Sequence, residues 1–131
     1  MTPFGRKVIE LREEREISHE ELAALLEVSP IFLSSLQDGY QGAPSPVLIY
    51  QIEKNLQLKA KEADDLRESA RLSRRRVALD TSGCSASATE LANVLSDRIR
   101  TLQEGQLDIL LDVLYRMIGE NKKAESKKDE S

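Results

Sequence analysis

The chain has no tryptophan, one cysteine and one histidine, and only two Phe and three Tyr among its 131 residues. Each scarcity excludes something. Cys84 alone cannot close an internal disulfide, and with His19 as the single histidine no zinc cluster of the usual Cys/His kind is available. There is no glycine-rich phosphate loop and no carboxylate–histidine cluster, so neither catalysis, nor a metal, nor a cofactor is expected. No apolar run approaches the roughly 18 residues of a membrane-spanning helix, and no secretory apolar segment follows Met1. A cytoplasmic, disulfide-free protein without a membrane partner is the expectation.

What is present is a Leu-, Ile-, Val- and Ala-based apolar fraction of 40% beside 32% charged residues. That balance predicts a folded chain, and the shortage of aromatics favours helices over strands. The net charge of −4 is unevenly spread. Residues 1–58 carry 5 basic and 9 acidic side chains, whereas residues 59–76 carry 7 and 4, with Arg74, Arg75 and Arg76 in one run. The basic footprint that nucleic-acid binders usually need lies in that second segment.

Apolar periodicity and start signals predict five short helices in the first 72 residues. Phe4, Val8, Leu11 and Ile17 mark a helix over 3–16. Ser18-His-Glu-Glu21 is a capping box opening a second helix to about Glu27, with Leu22, Ala23, Leu25 and Leu26 inside. Ser29-Pro30 opens a third, closed by Gly39, and Ser45-Pro46 opens a fourth, VLIYQIEKNL, apolar over enough of its circumference to be buried on more than one side. A charged fifth helix over 59–72 turns Ala60, Ala63, Leu66, Ala70 and Leu72 inward.

From Arg74 the pattern changes. Residues 73–86 read as a linker or short strand, the strand alternative including a possible contribution of RRRVALD to a dimer interface. Ser87 with Glu90 forms another capping box, followed by Leu91, Leu95, Ile99 and Leu102. After Glu104-Gly105, where a break is expected, come Leu107, Leu110, Leu111, Leu114, Met117 and Ile118. This 87–118 region predicts a helix pair or one kinked helix, and about 30 such residues cannot bury two apolar faces alone. Leu91, Leu95, Ile99, Leu102, Leu107, Leu110, Leu111, Leu114 and Ile118 are therefore dimerisation candidates, with folding back onto the first domain as the alternative. Residues 119–131 are expected to be a disordered tail.

Glu21-Leu22-Ala23, Val28-Ser29 and the spacing of Leu33, Leu36 and Gly39 resemble the lambda-repressor/Cro-like (xenobiotic-response-element type) helix-turn-helix family over residues 3–57. The resemblance implies a five-helix DNA-binding domain whose third helix enters the major groove. It places Ser29, Pro30, Ile31, Ser34 and Ser35 on the recognition helix, with Ile31 toward a thymine methyl and Ser35 toward a base edge or phosphate. It implies a phosphate contact at His19, where the family usually has glutamine, and backbone contacts at Tyr40 and Gln41. Glu27 stands where the family has a turn glycine, Gln37 where glutamate is common, and Asp38 brings negative charge near the phosphate path. Arg6, Lys7, Arg74, Arg75 and Arg76 are the cations left to meet phosphate.

Together these readings predict an all-α protein, a helix-turn-helix domain over 1–72 followed by a C-terminal dimerisation unit. Its expected function is sequence-specific transcriptional regulation of bacterial or phage type, by a homodimer on a pseudo-palindromic operator in double-stranded DNA. The second reading is a protein-interaction module that keeps the fold and binds another regulator or a polymerase component.

Overall fold

The computed structural model describes residues 1–129, with side chains described to Gly119. It is all-α, with no strand among the described residues, and divides into a compact unit over Met1–Ala78 and a second from Leu79 onward.

The first unit holds α1 (Pro3–Glu14), α2 (His19–Leu25), α3 (Pro30–Gln37), α4 (Pro46–Asn55) and α5 (Ala60–Arg71). Four of the five start on the same device. Thr2, Ser18, Ser29 and Ser45 adopt extended backbone, and each hydroxyl accepts the N–H three residues on, of Gly5, Glu21, Phe32 and Leu48. This satisfies a donor the helix itself cannot pair, worth about 1 kcal/mol per cap. At α5 the roles reverse: the Lys59 N–H donates to the Glu62 carboxylate at 3.0 Å.

Helices α1, α2 and α4 end through Glu16, Glu27 and Gln57, all at positive φ (+54°, +58° and +52°). In each case the next N–H returns to a carbonyl five residues back: Ile17 to Arg12, Val28 to Ala23, Leu58 to Glu53. The first helix thus stops at Glu14 rather than 16, and Ile17 folds back against the core.

That core is one cluster: Phe4, Val8 and Leu11 of α1 meet Leu22, Ala23 and Leu26, then Leu33 and Leu36, Ile49, Ile52 and Leu56, and Leu66 and Ala70. Burying each large side chain contributes roughly 1.5–3 kcal/mol. Three expectations fail here. Leu25 is half exposed, because α2 packs through Leu22 and Ala23. Helix α4 buries only the Ile49–Ile52 face and leaves Val47 and Tyr50 in solvent. In α5, Ala60 and Leu72 are exposed, and Ser69 joins Ala63, Leu66 and Ala70 inside.

Polar ties close the bundle. Arg15 donates to the Leu56 carbonyl at 2.6 Å and to Glu62 at 2.8 Å, fixing the end of α1 beside the α4–α5 connection. Arg67 grips Glu53 with two hydrogen bonds of 2.9 and 3.0 Å, joining α5 to α4.

In the second unit, residues 79–85 contain no strand. They turn at Asp80, whose carboxylate accepts the Ser82 N–H, and the Thr89 hydroxyl ties α6 (Ala86–Arg98) back to Thr81 at 2.9 Å. Ser85, rather than Ser87, caps α6. A 3₁₀ turn over Ile99–Thr101 and extended Leu102 (φ −75°, ψ 136°) then separate α6 from α7 (Glu104–Asp129). The break therefore precedes Glu104-Gly105. The Gln103 N–H bonds the Gln106 side chain and its carbonyl accepts the Leu107 N–H, so Gln103 starts the helix and Gly105 lies in the first turn. The backbone of the 119–131 segment is helical to Asp129, and residues 130–131 lie outside the described residues.

No residue from 79 to 119 is fully buried. Leu95, Leu102 and Leu107 are half-buried, while Leu91, Ile99, Leu110, Leu111, Leu114 and Ile118 are exposed. Ile109, Val113, Tyr115 and Met117 add to the exposed apolar surface of α7, leaving Asp108 and the Asp112–Arg116 ion pair as its polar strip. An apolar arc that wide is broader than the narrow seam of a two-stranded coiled coil.

Candidate nucleic-acid interface

Helices α2 and α3 and their turn form a helix-turn-helix. Glu27 at the turn has φ +58°, the left-handed conformation that glycine takes freely and that costs other residues about 1–2 kcal/mol. Ala23 and Leu22 face Leu33 and Leu36 across the angle, and Val28 packs at the edge of the same core. Helix α3 consequently turns Leu33, Leu36 and Gln37 inward and leaves Pro30, Ile31 and Ser34 outward, with Ile31 83% exposed. Phe32 is partly exposed beside it and Ser35 is half-buried.

The hydroxyls of that face are already engaged. Ser29 Oγ accepts the Phe32 N–H at 3.0 Å and so serves as the cap of α3. Ser35 Oγ accepts from the Gln41 amide at 3.1 Å, which folds Gln41 back along the helix. His19 Nε2 lies 2.8 Å from the Pro30 carbonyl and 3.1 Å from Ser34 Oγ. A carbonyl can only accept, so Nε2 carries the proton and His19 braces the start of α2 against the first turn of α3. Only Nδ1 remains for a phosphate, and a neutral ring with Nε2–H offers no donor there. The expected phosphate contact at His19 therefore needs a protonated ring.

The C-terminal end of α3 carries the feature that sequence reasoning missed. Gly39, at φ +85°, closes α3 in a paired cap, its N–H bonding Leu36 and the Tyr40 N–H bonding Ser35. A side chain at Gly39 would collide with Thr2, 2.8 Å away, and press on the Arg75 side chain at 3.1 Å. Arg75 comes from beyond α5. Its guanidinium stacks over the Tyr40 ring, 5.1 Å from the centroid, while Tyr40 stays 71% exposed. A cation on an aromatic face at a wet site contributes about 0.5–1 kcal/mol.

Two hydroxyls hold this geometry. Ser73, buried just after α5, accepts the Phe4 N–H at 2.8 Å and donates to the Ser69 carbonyl at 2.6 Å. Thr2 donates from both its N–H and its hydroxyl to the Gln37 carbonyl, at 3.0 and 2.8 Å. The start of α1 is thereby the joint at which α3 and the arginine run meet. Thr2-Pro3 matches Ser29-Pro30 and Ser45-Pro46 as a cap-and-proline start, so that half of the joint was readable; Ser73 carries no comparable signal.

The remaining candidates are less focused. Arg6, Arg74 and Arg76 are exposed and have no ion-pair partner among the described residues, whereas Lys7 meets Glu10 at 3.3 Å. Asp38 faces the amino group of Met1 at 3.7 Å, which answers part of its charge. Among the described residues no group of three metal-ligating side chains occurs, and Cys84 is exposed.

No protein-family model and no solved structure matches the chain. It is similar to the uncharacterized HTH-type transcriptional regulator RghRB of Bacillus subtilis (strain 168), with 33% identity over 52 residues. The similarity spans 40% of this chain and 37% of that protein, a length that one helix-turn-helix domain would account for.

Proposed function

We propose that the chain is a DNA-binding transcriptional regulator that acts as a homodimer on a pseudo-palindromic operator. The observation that carries this reading is the Arg75–Tyr40 stack at the end of α3, which brings positive charge to a helix that has none of its own. In this reading α3 enters the major groove with Ile31 toward thymine methyls and Ser34 and Ser35 near base edges. Pro30 and Ser29 lie at its entry, and Tyr40, Gln41, Arg74 and Arg75 follow the phosphates. Arg6 and Lys7 supply further charge. The uncovered apolar residues of α6 and α7, from Leu91 to Ile118, hold two copies together, and the two-fold axis sets the half-site spacing. The similarity to an HTH-type regulator supports the same reading.

One observation favours the second reading, a protein-binding module. The outward face of α3 is apolar at Ile31 and Phe32 and lacks a bidentate side chain for base recognition. Selection of bound fragments from a random duplex library at low salt, followed by salt titration, separates the two. An enriched two-fold-symmetric motif with affinity falling steeply in salt is expected. Folded protein that enriches nothing would leave Ile31, Phe32 and Tyr40 as anchors for a protein partner.

A further inference from the structure

Residues 76–80, Arg-Val-Ala-Leu-Asp, are all exposed, and their backbone N–H and C=O groups have no hydrogen-bond partner among the described residues. Arg76 and Asp80 likewise lack an ion-pair partner there, although the Asp80 carboxylate accepts the Ser82 N–H. An unpaired run of backbone donors and acceptors is a template for another strand.

The sequence of this run is chemically self-complementary when read antiparallel. With Ala78 opposite Ala78 of a second copy, Arg76 stands opposite Asp80, Val77 opposite Leu79, and the same pairs recur on the other side of the two-fold. Alternation then puts Arg76, Ala78 and Asp80 on one face and Val77 and Leu79 on the other. Opposite charges and branched apolar side chains are the cross-strand partners that stabilise such pairs. Shifting the register by one residue in either direction destroys every one of these matches. The apolar face also has a continuation: Leu79 forms one wall of a hollow lined by Ala88, Leu91, Ala92 and Leu95.

We infer that residues 76–80 pair with the same residues of a second copy as a short antiparallel ribbon centred on Ala78. The inference rests on the homodimer of the proposed function and adds to it a polar, register-setting seam. Arg76 is given to the partner's Asp80 rather than to phosphate, while Arg75, stacked on Tyr40, stays at the α3 end. A two-stranded ribbon alone is marginal in water, so it forms only with the apolar helices of the same dimer. Its contribution is to fix the register of the two chains immediately after Arg75.

The test uses the full chain. Arg76→Asp and Asp80→Arg each create two like-charge pairs in a homodimer, and sedimentation equilibrium should show self-association weakened about tenfold for each. Mixed together the two variants form a heterodimer in which all four charges match, so the mixture should regain wild-type association. In a Cys84→Ser background, Ala78→Cys should oxidise readily to a linked dimer. Val77→Cys, lying roughly 7–8 Å from its own copy across the diagonal, should link slowly. Singles that associate like wild type, a mixture no tighter than either single, or faster linkage at position 77 than at 78 would each overturn the ribbon. A wild-type dimer with those results would keep the helical dimer and lose only the seam. Charge complementation in a protein that selects no DNA motif would keep the seam and remove the DNA reading.

Discussion

Replacing Gly5 by alanine reverses the sign that helix propensity alone gives. Gly5 lies within α1, where alanine normally gains about 1 kcal/mol over glycine. Here a methyl group would sit 2.3 Å from the Gln37 carbonyl oxygen and 2.9 Å from its carbon, and both are backbone atoms that no rotamer change can move. Helices α1 and α3 must separate by about an ångström, at a cost of roughly 1–3 kcal/mol for overpacking. The same carbonyl accepts both Thr2 hydrogen bonds, each worth about 0.5–1.5 kcal/mol. Less the propensity gain, the expected net loss is about 1–5 kcal/mol, a large part of the stability of a unit this size. Urea unfolding followed by circular dichroism measures it, with Gly105→Ala as control, because nothing lies within 4 Å of a methyl group there. A Gly5→Ala midpoint equal to or above wild type would refute the close crossing, and with it the joint that sets Arg75 beside Tyr40.

Glu27→Gly removes the left-handed strain at the turn and should raise stability by about 0.5–1 kcal/mol, read from the same urea curves; a loss would contradict the conformation at φ +58°. The Glu62 carboxyl lies below its ordinary range, first because the Lys59 N–H donates to it and then because Arg15 does. A lowered folded value means stabilisation that is present above the unfolded pKa and lost as pH falls through the folded one. Glu62→Gln should therefore be less stable near neutrality and flatten the acid limb below roughly pH 4.3; parallel acid limbs would remove the interaction. Arg74→Ala with Arg75→Ala removes four cations from the proposed homodimer and should reduce the slope of log affinity against log salt by about 4 for duplex DNA, about 2 per half-site, whereas an unchanged slope would take the arginine run off the phosphates.

Most of the first unit was legible because it is punctuated by residues with one local job. Ser18, Ser29 and Ser45 are caps, Pro30 and Pro46 are tolerated only in a first turn, and Gly39 supplies positive φ; each marks a helix end without reference to the rest of the chain. What failed depended on partners distant in sequence. Leu25 and Val47 are as apolar as Leu22 and Ile49, and only packing decides which of them is covered. The site divides the same way. The outward position of Ile31 follows from helical spacing, but Gln41 on Ser35, His19 on the Pro30 carbonyl and Arg75 on Tyr40 are contacts that no pattern announces. The α6–α7 break was displaced because Gly105 is a conspicuous helix weakener, whereas the side chain that sets the start, Gln106 on the Gln103 N–H, is not.

The contacts around α3 bear on how such a helix would discriminate sequence. With Ser29 used as a cap, Ser35 accepting from Gln41 and Ser34 near His19, the outward face of α3 carries hydroxyls that are already oriented, each with its O–H left to donate. A single hydroxyl donor makes no bidentate match to a base edge, so a single domain of this kind would gain little base discrimination from hydrogen bonds. In the proposed complex, apolar contact through Ile31 and phosphate contact through Arg74 and Arg75 would contribute more to binding, and the phosphate contacts tolerate sequence change. Selectivity under these conditions comes from requiring two half-sites at one fixed spacing, where modest affinities combine through effective concentration. The demand on the molecule thereby moves from α3 to whatever fixes two copies in register. Variants that weaken self-association should lose operator discrimination faster than they lose total DNA affinity. Comparing a motif-bearing duplex with a scrambled one across the same dimer-weakening series tests this directly; a constant ratio would return specificity to the single domain.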